Sequence, residues 1–183
     1  MPEQERLTEG EPLNNWRPSG ATAGEAAPYG RAVGESGSKQ KYNLPNFEFQ
    51  QPDGKAVHFT TLESRTEGNI VLHFWATWCA PCIHELPELD EYIAAQKPAD
   101  VTVIPIALDG YQHGEKVQRF LAEHKLENIE GNMGQFVKLR TPLGLRNLPV
   151  TIVVKHGEVI HRVDGPVEWG SFVVPTQDGG STN

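Results

Sequence analysis

Apolar positions cluster into a few short runs separated by polar stretches. The most compact run is Asn69 to Trp75 (N-I-V-L-H-F-W), apolar on both faces except for His73. Such a run predicts a strand in the middle of a sheet covered on both sides. Val101 to Leu108 and Val150 to Lys155 predict two more buried strands, and Glu158 to Val163 follows the second after a His156-Gly157 turn. Earlier, Phe47 and Phe49 alternate with polar residues, Pro52-Asp53-Gly54 signals a turn, and Val57 and Phe59 alternate again. That pattern predicts a β-hairpin. Thr60 to Gly68 reads as a polar connection.

Helical spacing appears between these strands. Leu86, Leu89, Tyr92 and Ile93 predict a helix that opens at the cysteines and runs to about Gln96, where Lys97-Pro98-Ala99-Asp100 ends it. Pro87 lacks the N–H that Ile83's carbonyl would accept, so a kink is expected there. Glu115 to Lys125 predicts an amphipathic helix with Val117, Phe120 and Leu121 on one face. Asn128 to Gly134 reads as irregular, and Gln135 to Arg140 as a short helix stopped by Pro142 and Gly144. Strand, helix, strand predicts a parallel pair joined by a crossover, and the last two strands an antiparallel edge. The class is α/β. No internal repeat is visible.

The folded domain is expected over residues 44–170, with a polar tail at 171–183. Residues 1–43 hold too little apolar surface to offset their ordering entropy and read as a disordered arm, Gly/Ala/Ser-rich toward the end. The arm is either a tether or an unstructured start. Met1 to Gly10 has no apolar core, so no signal peptide is read there, and no run is long enough to span a bilayer. The expectation is a soluble chain. With 24 acidic against 16 basic residues, and no basic patch evident, nucleic acid is a poor partner.

Only two cysteines occur, Cys79 and Cys82, so there is no disulfide framework to staple a small core. The spacing C-x-x-C admits a metal, a structural or a redox reading. Zinc sites usually draw four ligands. Here there is no second C-x-x-C, and the nearest histidine pair, His156 and His161, flanks a hairpin turn instead of forming a zinc unit. No metal and no cofactor is expected. Cys79 falls at a helix N-terminus, where unpaired N–H groups and the helix dipole favour a thiolate. Pro81 suits an early helical position because its missing N–H would be unpaired there anyway. Cys82 lies one turn on, within reach of a mixed disulfide on Cys79. Thiol–disulfide exchange is the expected chemistry, with Cys79 attacking and Cys82 resolving. Glu85, three residues after Cys82, sits beside the second thiol; it is either a proton carrier for Cys82 or a solvated first-turn carboxylate.

The stretch H-F-W-A-T-W-C-A-P-C-I-H-E-L-P resembles the active-site segment of thioredoxin-fold proteins, in particular the TlpA/ResA-like thiol–disulfide oxidoreductases. Their pattern F-W-A-x-W-C-x-P-C-x-x-E-x-P is matched by Phe74, Trp75, Ala76, Trp78, Cys79, Pro81, Cys82, Glu85 and Pro87. Asn147-Leu148-Pro149-Val150-Thr151 resembles the family's cis-proline loop, and the likeness extends from about Leu44 to Trp169. The resemblance implies a thioredoxin fold, a central mixed sheet flanked by helices with an N-terminal β-hairpin extension. It implies that Pro149 is cis and faces the cysteines, that Trp78, Pro81, Leu148 and Pro149 contact the substrate, and that Glu85 transfers protons. It implies reduction of disulfides in partner proteins, including apocytochromes c or copper-site proteins, recharging by a membrane thiol donor, and a periplasmic or cell-envelope setting; the cytoplasm is the alternative, since no export signal is read.

Two further features depart from the family. His73 stands where thioredoxins proper carry Asp and this group often Asn; it is either a proton relay to Cys82 or a hydrogen-bonded core histidine. After Trp169 the chain is too short and broken for the usual covering helix, so either the sheet is less covered or another chain covers it. The competing function is a copper(I) metallochaperone on the same fold, although its relatives space their cysteines C-x-x-x-C. A thiol peroxidase fits less well, because Ala76 and Leu72 occupy the places of its Thr and Pro.

Overall fold

The computed structural model describes residues 42–95 and 101–175. In chain order the strands are β1 (Tyr42–Asn43), β2 (Glu48–Gln50), β3 (Ala56–His58), β4 (Asn69–Trp75), β5 (Val101–Ala107), β6 (Asn132–Met133), β7 (Val150–Lys155) and β8 (Glu158–Asp164). The helices are α1 (Phe59–Glu63), α2 (Ala80–Ala95), α3 (Gly114–Glu123) and α4 (Phe136–Leu139). All eight strands form one sheet in the order β1-β8-β7-β4-β5-β6-β2-β3. β4 and β5 are parallel, and β7 runs antiparallel to β4. The α/β reading with a mixed sheet flanked by helices holds.

β4 lies at the centre because its side chains are apolar on both faces. Ile70, Leu72 and Phe74 enter one core with Phe47, Phe49, Phe59, Ile106 and Ile152. Val71 and Trp75 enter the other, with Cys82, Leu86 and Leu89 of α2 and Val117 and Leu121 of α3. Each large apolar side chain buried this way contributes roughly 1.5–3 kcal/mol. His73 alternates with Val71 and Trp75, so it points to the α2 side, behind the cysteines, where it is fully buried.

The hairpin forms as expected, with Phe49 opposite Val57. Gly54 takes φ 83° at its turn, and the amide of Lys55 donates to the Asp53 carboxylate at 2.9 Å. Phe59, expected in the second strand of this hairpin, instead starts α1. Its ring stacks on Phe47 at 5.2 Å, and the Thr60 amide and hydroxyl both bond to the Asn46 side chain. Asn128 to Gly134 is not wholly irregular, because its two-residue strand β6 joins β5 to β2 and so ties the hairpin to the sheet. At the opposite edge β1 pairs with β8, which is therefore not the outermost strand.

α2 runs without a break from Ala80 through Pro87 to Ala95. Pro87 is on its exposed face, where water can serve Ile83's carbonyl. Gln96 and Lys97 to Asp100 lie outside the described residues, as do residues 1–41 of the expected arm and 176–183 of the expected tail. The chain stays packed past Gly170. A 3₁₀ turn at Trp169–Ser171 lays Trp169 and Phe172 against each other at 5.0 Å and both against Tyr92 of α2, and Val174 is buried. Among the described residues this aromatic cluster packs on that face of α2.

Candidate active site

β4 delivers the chain to the cysteines. Trp75 extends the β5 ladder by accepting the Leu108 amide at 2.8 Å. The chain then leaves the sheet through Ala76, Thr77 and Trp78. Asp109, just after β5, holds that exit: its carboxylate accepts the Thr77 amide at 2.9 Å and also the Thr77 hydroxyl. Lys116 of α3 stands 3.5 Å from the same carboxylate, which is itself buried. A buried anion with two donors and a cation makes a stiff hinge point.

Cys79 immediately precedes α2, and its amide donates to Ala76's carbonyl at 3.1 Å. Cys79 and Cys82 are joined as a disulfide with Cα atoms 5.3 Å apart. The amide of Cys82 points at the Cys79 sulfur from 3.3 Å. The helix N-terminus thus aims an N–H and its dipole at the sulfur that must carry negative charge when reduced. Cys79 keeps 6% of its surface exposed and Cys82 none. Of the two, Cys79 alone keeps any open surface. Trp78, Ala80 and Pro81 form the exposed rim around Cys79.

The Leu148–Pro149 bond is cis. Val150 pairs with Phe74, so Pro149 abuts the same end of β4 from which the cysteine segment departs. The Pro149 carbonyl accepts the Gly165 amide at 2.9 Å. Leu148 is half-buried, packed against both cores.

Glu85 and His73 meet behind the disulfide. Glu85 is buried on α2, one turn after Cys82. One carboxylate oxygen accepts the Val167 amide at 2.6 Å; the other lies 3.1 Å from His73 Nε2, without the alignment of a hydrogen bond. The reading of Glu85 as a solvated carboxylate is therefore corrected: α2 turns it inward under the Val167 segment. His73 Nδ1 is 3.0 Å from the Thr151 hydroxyl, its register partner on β7, and Trp169 meets the imidazole edge-on at 5.3 Å. His73 is thus buried and hydrogen-bonded through Nδ1, while its Nε2 edge faces a carboxylate, an arrangement compatible with either role.

Sequence reading placed Cys79, Cys82, Glu85 and His73 together and missed their partners. Thr151 sits within the quoted N-L-P-V-T stretch, but its position opposite His73 depends on the β4–β7 register. The Val167 amide, Trp169 and Asp109 carry no local signal for their roles. Among the described residues no group of three or more His, Cys, Asp or Glu is placed to hold a metal, so the copper reading gains no support.

Residues 41–162 match the AhpC/TSA family. The thiol-disulfide oxidoreductase ResA of Bacillus thuringiensis is 29% identical over 123 residues, covering 66% of this chain and 67% of that protein. ResA of Oceanobacillus iheyensis is 34% identical over 128 residues, covering 66% and 62%. The chain thus spans about two thirds of the length of these relatives. The exposed lipoprotein thioredoxin of Streptococcus pneumoniae superposes with a TM-score of 0.56 at 22% identity, over 69% of this chain and 94% of that one. With the family match running from β1 into β8 and taking in both cysteines and the cis-proline loop, the chain belongs to the AhpC/TSA family, as a TlpA/ResA-like thiol–disulfide oxidoreductase of thioredoxin fold.

Proposed function

We propose that this protein reduces disulfides in partner proteins through a Cys79/Cys82 dithiol–disulfide cycle. The observation that carries the reading is the asymmetry of the pair: Cys79 keeps 6% of its surface open and its sulfur faces a helix N–H, while Cys82 is fully sealed. The Cys79 thiolate attacks one sulfur of the partner disulfide. A bond forms between Cys79 and that sulfur, and the partner's other sulfur leaves as a thiolate and takes a proton. Cys82 then loses its proton and attacks Cys79, which closes the protein disulfide and releases the partner's second thiol. Two electrons and two protons pass to the partner. A thiol donor, on the membrane by family resemblance, returns them.

Glu85 serves as the acceptor of the Cys82 proton, since Cys82 has no access to water. His73, 3.1 Å from Glu85, passes or shares that proton, and Thr151 holds its ring in place. The partner chain lies along the rim formed by Trp78 and Pro81 on one side and Leu148-Pro149 on the other, its backbone pairing with the cis-proline loop. Apocytochromes c and copper-site proteins are the partner classes the resemblance puts forward. The name of the pneumococcal relative, an exposed lipoprotein, supports a setting outside the cytoplasm, and among the described residues no helix is long and apolar enough to cross a membrane.

The reduction potential tests the direction. Related C-x-x-C proteins span roughly −270 mV for a reductant to −120 mV for a strong oxidant. Equilibration with glutathione redox mixtures is expected to place this pair nearer the first value. A potential near the second would make the protein an oxidant.

A further inference from the structure

Beside Cys79 the surface is apolar in a way the exchange chemistry alone does not require. Trp78 is 58% exposed and Val137 of α4 88% exposed, two of the three large apolar side chains that stand open among the described residues. They are joined through Phe136, which Trp78 meets edge-on at 5.9 Å. The guanidinium of Arg140 lies 6.0 Å above the other aromatic ring of this pair, that of Phe136. Trp78, Phe136 and Arg140 are thus in contact, and Val137 follows Phe136 on α4. Contiguous exposed apolar surface of this kind marks an interaction site.

The charge around it opposes that of the rest of the chain. Residues 135–149 carry Lys138, Arg140 and Arg146 and no acid, in a protein of net charge −8. All three cations are exposed, and among the described residues none forms an ion pair. Glu48 lines the same groove as Lys138, but its carboxylate turns to His58 at 3.8 Å.

The surface is also held in place. Asp109 bridges by backbone to Gln135, the residue before α4, while its side chain fixes Thr77. Arg162, buried under the following loop, donates to the carbonyls of Leu143 and Gly144 at 2.8 and 3.0 Å and to Asp164. A pre-organised surface loses little ordering entropy on binding.

We infer that Trp78, Phe136, Val137 and Arg140 form a docking platform for the partner segment that flanks the target disulfide, and that it selects segments combining acidic with apolar residues. The inference rests on the exchange reading above and names the substrate class of that site. An apolar side chain covers Trp78, Phe136 and Val137, and a carboxylate pairs with Arg140, assisted by Lys138. Rim charges act mainly on encounter and specificity, so the selection appears in kcat/KM and weakens with salt.

The test uses the pre-reduced full chain in single turnovers. The substrates are two synthetic peptides with the same internal disulfide, one flanked by Leu and Glu, the other by Leu and Lys. Hydroxyethyl disulfide, which has no flanking chain, reports exchange by itself. The expected result is a preference of about tenfold for the acidic peptide at low salt, shrinking as salt is added and inverted in K138E/R140E. Val137→Ser is expected to slow both peptides without changing their order. If the wild type fails to reduce hydroxyethyl disulfide, the exchange reading fails. If it reduces that disulfide but treats the two peptides alike, or if the preference survives the charge reversal, the platform is refuted and the exchange reading stands. Equal treatment of the peptides, with binding to anionic vesicles that K138E/R140E abolishes, would assign the surface to a membrane and also overturn the inference.

Discussion

Cys79→Ser is expected to reduce disulfide-exchange activity to the uncatalysed background, a loss on the order of a thousandfold or more. The hydroxyl that replaces the thiol does not ionise near neutral pH and cannot form the mixed disulfide. The N–H at 3.3 Å that serves the sulfur is then left beside a neutral oxygen. The fold is expected to survive. The Cys79–Cys82 bridge closes a loop across a sequence separation of only three, so the chain-entropy model assigns it about 2 kcal/mol. A domain of ordinary stability, about 5–15 kcal/mol, tolerates that loss. The paired measurement is insulin reduction with a thiol donor alongside a thermal melt. Equal activity in wild type and variant removes Cys79 from the mechanism.

Glu85→Gln is expected to have the next largest effect, and on a different step. The amide keeps the volume and one oxygen to accept the Val167 amide, so packing is retained. What is lost, in the proposed cycle, is the group that takes the Cys82 proton. General acid–base catalysis contributes about 10²- to 10⁴-fold, and the resolving step is expected to slow by about 10²-fold at neutral pH. The first attack, at Cys79, stays fast, and mixed disulfide accumulates. Stopped-flow measurement of both phases across pH separates this from a structural role. A purely structural Glu85 would leave the pH profile of the second phase where it is in the wild type.

Both predictions depend on contacts that the sequence reveals unequally. β4, α2 and β7 are legible because six- to sixteen-residue elements carry a full period of apolar pattern, and the C-x-x-C announces its chemistry within four residues. β1 and β6 are two residues each, too short for any period, and they exist because neighbouring strands offer unpaired edges. Phe59 reads as a strand residue by alternation; tertiary packing on Phe47 makes it the start of a helix instead. Glu85 shows the limit most clearly. Spacing puts it beside Cys82, but whether it faces water or the core is set by a chain segment 82 residues away, whose amide it accepts. His73 likewise takes its partner from a register 78 residues distant. Asp109 follows the apolar run Val101 to Leu108, and only the fold places its carboxylate under Thr77.

In the proposed cycle Cys79 alone is the sulfur a partner meets. The most direct test is to trap the intermediate: react reduced Cys82→Ala with a disulfide-containing partner protein, quench with acid, and locate the protein–partner bond by peptide mass analysis. The account predicts a stable mixed disulfide carried by Cys79, absent when Cys79→Ser is used instead. No adduct on Cys79, or an equally abundant adduct on Cys82 in Cys79→Ser, would contradict it.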